Sequence, residues 1–183
     1  MKRLLFVFLI AIIAFPALQS CKKGANDPGL SFASRNARIT AKWKLKKIEG
    51  TATYVNSGTT NNVTIAYDGS VGTSTSSLYG SQTATGSYEM TIEKKGYMSW
   101  NETFTTGTPS VTDVQSESGS WQWLDTDKNK LFVILIGGNH FFTGGACRID
   151  RLAGKELVII DENSENDNGD TGVWNIKYTF EKQ

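Results

Sequence analysis

Apolar and polar residues alternate along much of this chain, at the two-residue period of strands that bury one face. The clearest case is a pair of segments. Tyr88, Met90 and Ile92 alternate with Ser87, Glu89, Thr91 and Glu93; after Lys94-Lys95-Gly96, Met98, Trp100, Glu102 and Phe104 alternate with Ser99, Asn101 and Thr103. This predicts a hairpin turning at 94–96. Upstream, Lys42-Trp43-Lys44-Leu45-Lys46 sets Trp43 and Leu45 on one face and lysines on the other. Thr51 to Val55 and Val63 to Tyr67 read as the next strands, joined by the Ser/Gly/Thr/Asn turn from Asn56 to Asn62, and Asp68-Gly69 signals another turn. Ser120-Trp121-Gln122-Trp123 pairs with Leu131 to Ile136 across Asp125 to Lys130; the unbroken apolar run predicts a strand covered on both faces. Ala146 to Leu152 and Lys155 to Asp161 form a hairpin across Ala153-Gly154, and Trp174, Ile176, Tyr178 and Phe180 close the chain on a largely aromatic face.

Three segments interrupt the alternation. Residues 70–86, rich in Ser, Thr and Gly, read as a flexible loop holding at most one weak strand. The stretch 105–117 reads as a polar connection, and 162–172 as an Asn/Asp/Glu/Gly loop. Ahead of the strands, Leu30, Phe32 and Ile39 with Arg35 and Arg38 fit one or two helical turns, capped by Asp27 before Pro28 or by Ser31. The count is eight to ten short antiparallel strands in meander order, an all-β barrel or sandwich in one domain with no internal repeat.

The N-terminus is of another kind. Met1-Lys2-Arg3 precedes an apolar run from Leu4 to Phe15, then Pro16 and Leu18-Gln19-Ser20-Cys21. The run is shorter than the roughly 20 residues a spanning helix needs, and the basic start, apolar middle and small residue before the cut make a signal peptide over 1–20. Leu18-Gln19-Ser20-Cys21 resembles the lipobox of bacterial lipoproteins. That resemblance implies lipid attachment at Cys21, a tether over 21–30, a folded domain over 31–183 and a place at the outer membrane. Lys22 and Lys23 beside the lipid can touch anionic head groups.

Composition narrows the classes. Of 183 residues, 163 remain after residue 20, carrying 17 basic and 18 acidic side chains, a net charge of −1. Such a chain lacks the basic footprint of a nucleic-acid binder. With Cys21 consumed by lipid, Cys147 has no disulfide partner and reads as a small buried hydrophobe.

Thr40-Ala41-Lys42-Trp43-Lys44-Leu45 resembles the Gly-x-Trp opening of lipocalin-like barrels, with Ala41 in place of glycine. Asn26 to Ser31 with Arg35, Arg38 and Trp43, then Cys147 to Leu152, Gly154 to Ile159 and Tyr178 to Lys182, resemble in order the small lipocalin-like lipoproteins of Gram-negative bacteria. The resemblance implies an eight-stranded up-and-down barrel with a short N-terminal helix, and Trp43 plugging one end. Eight strands make a barrel that side chains can fill or that can hold one small ligand.

Candidate chemistry is sparse. Trp43, Tyr88, Met90, Trp100, Glu102, Phe104, Trp121, Trp123, Trp174 and Tyr178 line alternating faces, as core or as a pocket for a small hydrophobic ligand. Glu102 falls on an apolar face; a rim position in water, or a bulge that turns it outward, is the favoured explanation. Asp125-x-Asp127-x-Asn129 starts like a calcium loop, but Lys130 and Ile136 occupy its glycine and glutamate positions. Asp161, Glu162, Glu165, Asp167 and Asp170 supply oxygen ligands without a recognised spacing. His140 stands seven positions from Cys147 with nothing to orient the pair. No serine elbow, phosphate loop or zinc spacing occurs. The sequence thus leads to an anchored, non-enzymatic binding protein without a cofactor, or to an interaction module for an envelope protein partner.

Overall fold

The structure, a computed structural model, describes residues 26–28, 33–107, 110–126, 129–136, 145–167 and 170–183. The expected signal segment, Cys21, Leu30, Phe32, Asp127 and His140 lie outside the described residues. One short helix, α1 (Arg35–Ile39), precedes ten strands: β1 (Ala41–Asn56), β2 (Thr59–Tyr67), β3 (Val71–Ser76), β4 (Gly80–Ile92), β5 (Tyr97–Thr106), β6 (Val111–Trp123), β7 (Phe132–Ile136), β8 (Ala146–Leu152), β9 (Glu156–Asp167) and β10 (Asp170–Lys182). All neighbours are antiparallel, and β10 returns beside β1, so the sheet closes into a ring. Among the described residues no helix is long and apolar enough to cross a membrane.

The ring has two widths. At the helix end the first residues of β1, Ala41 to Lys44, pair directly with the last of β4, Ile92 to Glu89. From Ile48 onward β1 pairs with β2 instead, and the β2–β3 hairpin is interposed between β1 and β4. Eight strands therefore encircle the helix end; farther up the β2–β3 hairpin adds two between β1 and β4, while β7 and β8 pair only in the half nearer the helix. The inserted hairpin sets β1 and β4 apart, so the ring flares on that side. The fork is held by Tyr67, whose hydroxyl donates to the Gly86 carbonyl at 2.9 Å, while the Gly86 amide donates to Ser70 O at 2.8 Å. A Cβ on Gly86 would stand 1.9 Å from Thr103 O, so only glycine lets β4 lie this close to β5.

The narrow end is shut from within. Trp43, Leu45, Met90 and Leu157 are fully buried there, and the Trp43 indole donates to Ile39 O at 2.8 Å, tying the plug to α1. Ser34 caps the helix by accepting from Ala37 N at 3.2 Å. Asp27 has a different role. Its carboxylate is buried against Arg35 and Arg38, and its other oxygen accepts from Leu152 N at 2.8 Å. Asn26 bonds Asp150 at 2.9 Å. Asn26 and Asp27, assigned to the tether by the sequence reading, are thus docked on the domain.

The hairpin expected to turn at 94–96 is present, and its ladder sets Tyr88 opposite Glu102 and Met90 opposite Trp100. Other expectations change. Residues 70–86 are not a loop but β3 and the first half of β4; 105–117 holds the end of β5 and most of β6; 162–172 is the β9–β10 hairpin. In each case one strand face borders the wide end, where polar residues are tolerated, so the ladder forms without an apolar signature. Lys42 to Lys46 and Thr51 to Val55 belong to one sixteen-residue strand, irregular only between Leu45 and Lys47. The apolar run of β7 is covered on one face: Val133 and Leu135 are inaccessible, whereas Ile136 is 48% exposed.

Candidate functional site: a flared cavity above a polar layer

Inward-facing residues fall into three tiers along the ring axis. The lowest is the apolar plug around Trp43, Met90, Trp100 and Trp121, four of the aromatic and apolar residues singled out from sequence. Trp123 packs half-buried at the same end, its indole donating to Asn36 Oδ1 at 2.7 Å.

The middle tier is polar. Tyr88, Glu102, Cys147, Asp161 and Tyr178 are all buried. Glu102 is 4% exposed and its ladder runs regularly between Tyr88 and Gln115, so neither rim nor bulge accounts for it. The Tyr88 and Phe180 rings approach across the interior at 6.4 Å between centroids. Burial raises the Tyr88 phenol well above its usual range, and the Glu102 charge adds to this. Tyr178 is raised likewise, by burial first and then by Asp161. Cys147 is pushed up to about 12 by burial and the nearby Asp161 carboxylate, which makes it a poor nucleophile at neutral pH.

Asp161 is the acid that sequence reasoning placed near a solvated loop. It faces inward on β9, opposite Ile176, and burial raises its carboxyl above the ordinary value while a hydrogen bond from Trp174 opposes the shift. A carboxyl raised on folding contributes stability that is full below the unfolded value of about 3.9 and lost as pH climbs through the folded value. Asp161→Asn, which keeps an acceptor for Trp174, is expected to flatten that decline and to be the more stable protein near neutrality. Urea unfolding followed from about pH 3.5 to about pH 7 reads this; parallel curves for the two proteins would refute it.

The upper tier is open space. A cavity of about 590 Å³ lies where the β2–β3 hairpin widens the ring. Ile48, Ile65, Tyr67 and Phe104 supply its apolar wall, and Ser74, Gln82 and Thr106 its hydrogen-bonding groups. Of the residues expected to line a pocket, Phe104 alone lines this cavity; Trp174 is buried in the wide half beside Asp161, and Trp121 and Trp123 wall a separate cleft beside α1. The others form core. The lining from β3 and β4 was missed because it is small and polar. A signal was available in the outward residues, where Thr73 and Thr75, then Thr83 and Thr85, repeat at the strand period with β-branched side chains.

No protein family, curated protein or solved structure matches this chain.

Among the described residues, no group of three or more His, Cys, Asp or Glu side chains is arranged to hold a metal. The acidic residues from Asp161 to Asp170 are spread along two paired strands, and Glu162 is engaged outside the ring by Arg148 at 2.7 Å. What the site offers is a water-accessible, mainly apolar recess with a few convergent polar groups.

Proposed function

We propose that this chain is a lipid-anchored, non-enzymatic binding protein of the bacterial outer membrane, a lipocalin-like barrel whose flared end takes one small, largely apolar ligand. The cavity carries this reading: its roughly 590 Å³ falls within the 300–1,000 Å³ typical of small-molecule sites. Tyr67, Phe104, Ile48 and Ile65 suit a ring or short chain, and Ser74, Gln82 and Thr106 suit one or two hydroxyl, amide or carbonyl groups on it. Burial and the Asp161 carboxylate hold the Cys147 thiol protonated, which speaks against a cysteine nucleophile. Because Asn26 is docked at the narrow end, a lipid on Cys21 would hold that end toward the bilayer and leave the mouth facing away.

Native mass spectrometry, after incubation with an envelope lipid extract, is the test. A one-to-one adduct is expected, weakened at least about tenfold by Ala84→Trp, which places an indole in the recess from β4. Persistence of the adduct in that variant would move the ligand elsewhere. A clean apo mass would favour the second reading, an interaction module for an envelope protein. That reading draws on exposed apolar side chains at strand turns of the wide end: Leu78 at 47%, Tyr79 at 78% and Val111 at 64%.

A further inference from the structure

The two ends of the ring differ in charge as well as width. The narrow end carries Lys94, Lys95, Lys130, Lys155 and Lys182, set against Glu93 and Asp125. Its other acids are already engaged: Glu89 by Lys42, Glu156 by Arg151 and Glu181 by Lys46. Lys94, Lys95 and Lys155 are exposed and in no ion pair among the described residues. The wide end carries Asp113, Glu165, Asp167 and Asp170 instead.

Aromatic side chains stand among these lysines. Tyr97 is 65% exposed directly after the Lys94–Gly96 turn. Lys130 lies 5.9 Å over the Trp123 ring and donates to Asn36 at 2.9 Å. A cleft of about 600 Å³ opens between α1 and this turn, walled by Lys94, Lys95, Trp121 and Trp123. Residues 1–25, with the apolar run Leu4 to Phe15, join the domain at the same end, since Asn26 and Asp27 are pinned to Asp150, Arg35 and Leu152.

We infer that the narrow end is a docking surface for a bilayer containing anionic phospholipid, with a headgroup seated between Lys94, Lys95 and Trp123. Lysines near an anionic surface attract it, and tryptophan and tyrosine settle at the headgroup level because each has an apolar body and a polar tip. The N-terminal segment brings this end to the membrane; the lysines and aromatics then hold the domain upright, with the wide end toward solvent. This inference rests on the membrane anchoring of the proposed function and stands whether or not the cavity binds a ligand.

The full chain, reconstituted in vesicles of brominated phosphatidylcholine with or without phosphatidylglycerol, tests it through tryptophan quenching. Attachment through the N-terminal segment keeps every variant on the vesicle, so quenching reports how the domain sits. Quenching is expected to rise with phosphatidylglycerol, to fall in Trp123→Phe and to be unchanged in Trp174→Phe. Lys94→Glu with Lys95→Glu is expected to abolish the phosphatidylglycerol-dependent part; removing two lysine charges alone weakens surface docking about 25-fold, fivefold for each. An unchanged melting temperature in the double variant shows that the fold survives. Quenching indifferent to phosphatidylglycerol or to the charge reversal, or quenching that falls in Trp174→Phe instead, overturns the docking surface; protein left in the supernatant overturns the N-terminal anchoring, and the inference with it.

Discussion

Asp27→Ala is expected to destabilise the fold by about 3–5 kcal/mol, the largest loss from any single polar residue here. The side chain is inaccessible, as are those of Arg35 and Arg38 to within a few per cent. Removing the carboxylate leaves two guanidinium groups at a site without solvent and orphans the Leu152 amide. A typical domain is stable by about 5–15 kcal/mol, so this is a large fraction of the whole. Urea denaturation at neutral pH measures it. Replacing all three together, Asp27→Leu with Arg35→Met and Arg38→Met, is expected to recover most of the loss, because the penalty lies in the uncompensated charge rather than in the pair's net contribution. A single-variant loss below about 1 kcal/mol would mean that water screens the cluster like a surface ion pair.

Trp43→Ala is expected to cost about 3–5 kcal/mol as well, by a different route. Trp43 is fully buried on β1, next to the point where β1 turns from β4 to β2. Truncation opens a void in the narrow end, where eight strands leave little room for neighbours to collapse, and removes the donor to Ile39 O. Trp43→Phe, which fills most of the void and loses only the hydrogen bond, is expected to cost about 1 kcal/mol. Equal losses for the two variants would place the stability in the hydrogen bond to α1 rather than in the packing.

The two positions also show what a sequence can and cannot reveal. Trp43 was legible because it alternates with lysines, and burial of one strand face imposes that period. The hairpin from Ser87 to Phe104 was legible for the same reason, down to its turn at 94–96. Asp27 read as a tether residue or a helix cap, because its partners stand 8, 11 and 125 residues away and no local pattern records them. Asp161 read as part of a hydrophilic loop, since a charged residue on an inner face looks like a solvated one until its neighbours are known.

The cavity illustrates the limit most directly. Phe104 stood out as an aromatic at the end of a predicted strand, but Ser74, Gln82 and Thr106 lie in segments read as a loop and a polar connection. Periodicity reports apolar burial, and a recess open to water asks for little of it. The same absence of apolar residues that hid β3 and the outer half of β6 leaves the upper ring unfilled.

By itself the sequence determined an all-β antiparallel chain, the main hairpin and its buried face, the buried side of the strand that carries Trp43, a short helix ahead of it, and the burial of Cys147. Those features are local, written in spacings of two residues and in single turns. Only the tertiary structure decided that β1 divides its pairing between β4 and β2, so that the β2–β3 hairpin enters the ring and opens it into a cavity. It likewise decided that Glu102 and Asp161 lie inside and that the lysines collect at one end. These depend on contacts between residues far apart in the chain, where strand pairing and charge are set by closure of the sheet and not by any neighbouring residue.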